Sequence, residues 1–351
     1  MRRRNWLYAC LWLLGCNEDD GSPVDDDQES VLDGGQLDSG RLDSGYLDAA
    51  VEAPSTDGDG GAHRDAGHTR DGAVDGGKPD AALPLRVLTY NVAGLPEPLS
   101  SSQPKHNSPL ISPLLNAYDL VVLQEDFAYH AQIVGMADHP FQSPVDARGQ
   151  SLGDGLNFLS RVPFSELTRV KWEQCNGLLD SGSDCLTPKG FLFARFTIAG
   201  ATLDVYDLHA DADTSPADLR ARASNLSQLG RYIREHSEGR AVIVAGDLNA
   251  RYTREGDNIP ELVDGTGLSD VWVELIRGGE RPAPSGIVPC PAQAPDDPAC
   301  EHVDKILYRS GGGLTLRPHD YGVHGQTFVD ATGLQLSDHR PVSVVFDVVA
   351  R

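Results

Sequence analysis

Beyond residue 84 the chain alternates hydrophobic and polar positions, or gathers its apolar residues into short blocks. Leu85–Val92 (LRVLTYNV) alternates with period two and predicts a strand. Asp119–Gln124 (DLVVLQ) is a continuous apolar run, the pattern of a buried strand. Gly155–Arg161, Gly190–Ile198 and Thr202–Leu208 read as further strands. The last two are joined at Ala199-Gly200-Ala201, a hairpin signal. Pro109–Tyr118 has the spacing of a short helix. Ser215-Pro216-Ala217-Asp218 reads as an N-cap, a proline at the first helical position and an acid in the first turn. Leu219, Ala223, Leu226, Leu229 and Ile233 continue that helix as a stripe to about His236. Ala241–Ala245, Val303–Tyr308 and Val342–Val348 complete the predicted strands. Many strands, several hairpins and few helices predict a mixed α/β (α+β) sandwich rather than an alternating parallel sheet.

The first 84 residues follow neither period. Arg2, Arg3 and Arg4 precede a short apolar stretch, Trp6–Leu14, which ends at Gly15-Cys16. This is the layout of a lipoprotein signal over residues 1–16, with Cys16 as the lipidated residue of a lipobox. A buried amphipathic segment is the plainer alternative. Residues 17–84 repeat Leu-Asp-Ser-Gly at 37–40 and 42–45 and continue with Asp/Gly pieces. They carry eighteen acids against four bases, a net −14. So few aliphatic residues cannot offset the entropy of ordering, which predicts a disordered acidic tether. A calcium-binding Asp/Gly repeat is the sharper alternative, but no regular period supports it. As a flexible coil the tether spans about 45 Å. Residues 85–351 then form the folded domain, exported and lipid-anchored to a bacterial membrane, at the outer membrane or cell surface.

Charge and cysteines narrow the classes. The 351 residues carry a net −23, of which −12 falls in 85–351. A basic nucleic-acid-coating protein is excluded, though a local phosphate site is not. No apolar run after residue 16 is long enough to span a bilayer. Without Cys10 and Cys16, four cysteines remain, as the pairs Cys175/Cys185 and Cys290/Cys300. Three connectivities are open, and the local pairing would close two polar loops in an oxidising compartment. A zinc site is the weaker reading, because no C-x-x-C pair occurs.

Polar clusters stand where the buried strands end: Asn91 before Val92, Gln124-Glu125, Asp207-Leu208-His209, Gly246-Asp247-Leu248-Asn249, and Ser337-Asp338-His339. Carboxylates, carboxamides and two histidines suit a hard divalent cation with oxygen ligands. Singly each cluster is a turn, a cap or a bonded histidine.

The ordered set resembles the endonuclease/exonuclease/phosphatase superfamily. The likeness rests on Asn91 in YNVAGLP, Glu125 in VVLQE, His209 in VYDLH, Asp247 and Asn249 in GDLN, Asp304 in HVDKILYRS, and Asp338-His339 in LSDH. It is similar to the bacterial neutral sphingomyelinase branch through Asp154-Gly155-Leu156 before LSRVPF, Lys189-Gly190-Phe191 and TSPADLR. The resemblance implies a deoxyribonuclease-like four-layer sandwich of two packed mixed sheets flanked by helices. It implies Mg²⁺, or another divalent cation such as Mn²⁺ or Ca²⁺, held by Glu125 with Asn91 beside it and Asp338 nearby. His339 would be the general base, oriented by Asp304. Asp247 and Asn249 would orient water and hold a phosphate oxygen. His209 would donate to a phosphoryl oxygen or the leaving group.

Three departures bear on this. Asp207 stands where the family commonly has Thr or Asn, and is expected to raise the pKa of His209. The aromatic membrane hairpin of some hemolytic sphingomyelinases has no counterpart, and Pro-rich residues 276–300 are expected to form a disulfide-closed loop instead. No inositol-phosphatase motif appears. The expectation is therefore a phosphodiester hydrolase acting on a phospholipid headgroup. An extracellular endonuclease with a nucleic-acid substrate and a non-catalytic binding module are the alternatives. Arg251, Arg254, Lys305, Arg309 and Arg340 are candidates for a local basic rim. Nothing calls for an obligate protein partner.

Overall fold

The computed structural model describes residues 82–97, 99–100, 102–146, 152–177, 184–284 and 296–350. The signal segment with Cys16, the tether up to residue 81, and Cys290 lie outside the described residues.

The elements run β1 (Leu83–Asn91), α1 (Pro104–Leu114), β2 (Leu120–Gln124), α2 (His130–Ile133), β3 (Phe141–Gln142), β4 (Asn157–Ser160), β5 (Phe164–Lys171) and β6 (Gly190–Ile198). They continue with β7 (Ala201–His209), α3 (Pro216–His236), β8 (Ala241–Asp247), α4 (Ile259–Thr266), β9 (Ser269–Asp270), α5 (Val271–Leu275), β10 (Asp304–Arg309), β11 (Leu314–Val323) and β12 (Val342–Ala350). They form two six-stranded sheets, ordered β11-β12-β1-β2-β4-β3 and β5-β6-β7-β8-β10-β9. Each has one parallel pair near its middle, β1 with β2 and β7 with β8. Their other pairings are antiparallel.

Strand periodicity sorts the side chains into layers. Val87, Val122, Phe158, Phe196, Val205, Ile243, Ile306 and Phe346 pack between the sheets. Phe158 and Phe196 meet edge-on across that interface, with ring centroids 5.6 Å apart. The opposite faces carry Leu88, Tyr90 and Leu123 against α1 and α2. On the second sheet they carry Tyr206, Val242 and Val244 against α3 and α4. The result is a four-layer helix–sheet–sheet–helix sandwich: the sequence pattern predicts a mixed sandwich, and the resemblance implies its four layers. From α3, Leu226, Leu229 and Ile233 are fully buried, each worth about 1.5–3 kcal/mol. The Ser215 and Asp218 capping box closes the start of α3.

Several boundaries differ from the expectations. β1 begins two residues earlier, so Leu83 and Pro84 belong to the sheet rather than to the tether. The helix expected at Pro109–Tyr118 starts at Pro104, with Pro109 and Pro113 inside it, and ends in a 3-10 turn over Leu115–Ala117. The Ala199-Gly200 hairpin has φ of 50° and 79° at its two corners, the pairing that suits a twisted hairpin. Cys175 and Cys185 are joined by a disulfide. Cys300 is also disulfide-bonded.

Candidate active site

The site grows out of the inter-sheet core. Along β1 the same face carries Val87, Thr89 and then Asn91. β2 offers Val122 then Gln124, β7 offers Val205, Asp207 and His209, and β8 offers Ile243, Ala245 and Asp247. The core thus turns from apolar to polar toward the C-terminal ends of both parallel pairs. Thr89 Oγ1 donates to Gln124 Oε1 (3.2 Å), and Gln124 Nε2 donates across the sheets to Asp207 Oδ1 (2.7 Å). This polar layer is buried and forms the floor of the site.

Above it, register places Asp247 opposite both His209 on β7 and Asp304 on β10. Gly246 makes this close approach possible. A Cβ there would lie 2.2 Å from the Leu208 carbonyl oxygen, and φ is 151°. At the strand ends the chain turns sharply. Ala93, Glu125 and Asn249 have φ of 48°, 53° and 50°, and such backbone costs about 1–3 kcal/mol per residue. The turn at Glu125 breaks the strand alternation and brings its carboxylate beside Asn91.

Asp247 Oδ2 is the hub. His209 Nε2 lies 3.4 Å from it, His339 Nε2 lies 3.6 Å from it, and Asn91 Nδ2 donates to it at 3.3 Å. Asn91 Nδ2 also donates to Glu125 Oε1 (3.1 Å), while its Oδ1 accepts from Ala93 N–H (3.0 Å). His339 Nδ1 is bonded to Asp304 Oδ2 at 2.9 Å. Asn249 N–H donates to Asp247 Oδ1 (2.9 Å), and its side-chain amide donates to the Ala210 carbonyl (3.1 Å). Ser337 Oγ ties the last cluster to the Asn91 carbonyl (2.7 Å). Asp338 lies close enough for its charge to act on Glu125 and His339. The eight residues Asn91, Glu125, His209, Asp247, Asn249, Asp304, Asp338 and His339 therefore gather in one place.

A ninth group joins them. Lys189, at the entry to β6, sits with Nζ 3.0 Å from His209 Nε2 and is ion-paired with Asp184. An ammonium only donates, so His209 Nε2 accepts and its proton rests on Nδ1. In sequence Lys189 stood out only as part of a strand entry. Its role depends on residues 184–189, just ahead of β6, packing against the end of β7.

The electrostatics correct one expectation. Asp207 does not raise His209, because its carboxylate turns away to Gln124. Burial, then the Lys189 charge and that of His339, pushes His209 well below the ordinary imidazole range, so it is neutral near pH 7. His339 behaves oppositely. Burial opposes its charge, but Asp304 and Asp247 together outweigh burial and hold it well above its ordinary value. Burial raises Glu125, against the pull of Lys189 and Asn91. Burial raises Asp247 as well.

The donor set fits a hard divalent cation. Oxygen or nitrogen atoms of Asp247, Asp304 and His339 lie within 4.8 Å of one another, and Glu125 and Asp338 add carboxylates nearby. Asp304 and His339 already bond each other, which suits an orienting pair. Glu125 and Asp247 are better disposed toward a cation. Asn91 offers nitrogen on that side, and its amide would have to turn to become a ligand.

The expected basic rim does not form. Lys305 is buried between the Tyr252 and Trp272 rings and bonded to Glu301. Arg309 donates to backbone carbonyls of Arg240, Ser237 and Thr266, at the end of β10 away from Asp304. Arg254 is held by Asn249 O and Asp257, Arg340 by Asp296, and Arg251 bonds the Glu301 carbonyl.

Residues 104–280, about half of the chain, match the family described as Endonuclease/Exonuclease/phosphatase family 2. The chain is 38% identical over 275 residues to a sphingomyelinase of Mycobacterium tuberculosis, covering 75% of this chain and 53% of that protein. It thus spans about half the length of the curated relative. Beta toxin from Staphylococcus aureus superposes with a TM-score of 0.54 at 17% identity, over 77% of this chain and 100% of that one. TDP2 from Caenorhabditis elegans superposes with a TM-score of 0.53 at 15% identity, over 76% of this chain and 74% of that one. These two likenesses concern the fold alone.

Proposed function

Because the chain belongs to the endonuclease/exonuclease/phosphatase family, we propose that it is a divalent-cation-dependent phosphodiesterase acting on a phospholipid headgroup of the sphingomyelin type. The observation that carries this reading is the pair of histidines on either side of one buried carboxylate oxygen, with Nε2 atoms 3.4 and 3.6 Å from Asp247 Oδ2. One histidine is bonded to a carboxylate and the other to an ammonium. A phosphodiester resists attack because it is anionic. A divalent cation, Mg²⁺, Mn²⁺ or Ca²⁺, held by Glu125 and Asp247 with Asn91 and Asp338 beside them, would neutralise a non-bridging oxygen.

His339 is the general base for the attacking water, and the Asp304 bond to Nδ1 aims Nε2 into the site. It must give up its proton first. The carboxylates that keep it protonated are the groups a bound cation neutralises. His209 acts on the opposite side, where Lys189 supplies the proton-bearing group next to it. With His209 Nε2 orienting it, the Lys189 ammonium can donate its remaining N–H groups to a phosphoryl oxygen or the leaving alkoxide. Asn249 holds a phosphate oxygen.

Substrate choice rests on the 38% relative and on charge. Polyanion binding uses several free Lys and Arg contacts. The cationic side chains near the motif ends are instead bonded within the protein. This favours a single headgroup over a nucleic-acid strand. Residues 1–16 as a lipoprotein signal, lipidated Cys16 and residues 17–81 as a tether would hold the domain near a lipid surface, which fits the same substrate. No helix among the described residues is long and apolar enough to cross a membrane.

The test is turnover on sphingomyelin vesicles, plasmid DNA and bis(p-nitrophenyl) phosphate, with Mg²⁺ and with a chelator. Chelator-sensitive release of phosphocholine is expected. Cation-independent turnover, or turnover confined to DNA, would overturn the reading.

A further inference from the structure

Arg222 is fully buried, and the reaction just described makes no use of it. It projects from α3 into the space between the two loops that leave β7 and β8. Its Nη1 donates to three successive carbonyls, those of Asp211 (2.9 Å), Ala212 (3.1 Å) and Asp213 (3.0 Å). These lie directly beyond His209. Its Nε donates to Asp257 Oδ1 at 2.8 Å, an ion pair with both side chains fully buried. Asp257 Oδ2 accepts from Arg251 N–H (2.8 Å) and lies 3.2 Å from Arg254 Nη1. Arg254 Nη1 in turn donates to the Asn249 carbonyl at 2.7 Å. Asn249 holds a left-handed φ of 50° and bonds back to the Ala210 carbonyl. The bonds close a ring that runs from the His209 loop through Arg222, Asp257 and Arg254 to Asn249, and back.

We propose that the Arg222–Asp257 pair and Arg254 form a positioning clamp that locks the His209 loop and the Asp247–Asn249 loop to one another. The proposal rests on the phosphodiesterase reading for its effect on turnover, but not for the clamp itself. A buried ion pair is an uncertain source of stability, whereas its geometry is specific. A guanidinium donates in fixed directions that a lysine cannot reproduce. The two loops leave different strands, and beyond the Ala210–Asp247 and Leu248–Val303 backbone bonds no ladder joins them. A misplacement of about 1 Å can cost roughly 10²-fold in rate. None of these three side chains touches the substrate in this account, so they are positioning residues.

The experiment compares Arg222→Lys, Asp257→Asn and Arg254→Met with Arg309→Lys. Arg309 also clamps carbonyls, but at the far end of β10. For Asp257→Asn and Arg222→Lys we expect kcat on bis(p-nitrophenyl) phosphate to fall about 10- to 100-fold with KM little changed. The double variant should be no worse than either alone. Amide hydrogen exchange should rise in 210–213 and in 249–257 together, although each substitution lies in only one segment or in neither. Arg254→Met should lower kcat and raise exchange in 249–257 alone. Arg309→Lys should lose Tm without losing kcat.

The clamp is wrong if folded Asp257→Asn leaves exchange in 210–213 unchanged. Its functional role is wrong if kcat stays at the wild-type level, or if Arg309→Lys loses as much kcat at a matched Tm. Should Asp257→Asn fail to fold, Arg254, which is partly exposed, decides the question of kcat. Inert wild-type protein would overturn the phosphodiesterase reading, while the exchange comparison, which needs no substrate, would still decide the clamp.

Discussion

Asp207 lies between the sheets with no exposed surface, and one of its oxygens has no hydrogen-bond partner among the described residues. Burial, eased by Gln124 but aggravated by Asp154, raises its carboxyl well above the ordinary range. A raised acid binds its proton more tightly folded than unfolded. It therefore supports folding below the ordinary carboxylate pKa and withdraws that support as pH climbs to the folded value. Asp207→Asn copies the neutral form. It should raise Tm by roughly 2–4 °C or more near neutral pH, and the gain should vanish near pH 3–4. Thermal melts across pH check this, and a constant gain at every pH would count against it. The two histidines predict a second contrast. His339→Ala should reduce turnover on every substrate by about 10²–10⁴-fold. His209→Ala should spare bis(p-nitrophenyl) phosphate relative to sphingomyelin, since nitrophenolate leaves unprotonated. Equal losses would make the His209–Lys189 pair a phosphate-binding device only. Asp304→Asn should resemble a mild His339→Ala. Asn91, Glu125, His209, Asp247, Asp304 and His339 were legible because each stands near a strand end within its own short motif: the first four where β1, β2, β7 and β8 run out, Asp304 at the start of β10 and His339 just before β12. Lys189 and the Gln124–Asp207 bond were not. Both depend on which side chains the two packed sheets bring face to face, and strand patterns carry no record of that.

Elements with uninterrupted periodicity were the readable ones. The expected Gly190–Ile198 strand matches β6 residue for residue, and the capping signal at Ser215 opens α3 where expected. β5 and β11 were missed, and both are sheet edges with a break in register. In β5 the shift falls at Glu166, where φ is 53°. In β11 it falls after Pro318, and an edge strand tolerates that proline. A bulge swaps the faces midway, so neither stretch keeps its alternation. α5 and α4, at five and eight residues, are too short to show a stripe. The α3 start gives a prediction at this scale. Ser215→Ala removes one half of the capping box and should cost about 1 kcal/mol, or roughly 2–4 °C in Tm. Asp218→Ala should cost more, because Asp218 also accepts from Asn176 Nδ2 at 2.6 Å, next to Cys175 in the disulfide loop. Melts of the two variants side by side test the order.

At the scale of the whole molecule, the first sheet is held by residues far apart in sequence. β12 pairs with β1 from Leu83↔Val348 to Thr89↔Val342, and it lies between β1 and β11. Removing residues 17–80 should leave Tm and turnover on bis(p-nitrophenyl) phosphate unchanged, because it stops short of β1. Cutting on to residue 86 should destabilise the domain by trimming that pairing. A Tm loss from the shorter deletion would show that the acidic stretch belongs to the fold. The β1–β12 pairing also sets a timetable. With the chain present only as far as β8, both parallel pairs, β1–β2 and β7–β8, can form while the other edge of β1 has nothing to pair with. That edge waits exposed until Val342–Ala350 arrives, and such long-range closure is slow. Asp338 and His339 arrive just ahead of β12. The candidate site is therefore complete only once the segment leading into β12 is in place, and a chain cut before residue 337 carries an open sheet edge and lacks both Asp338 and His339.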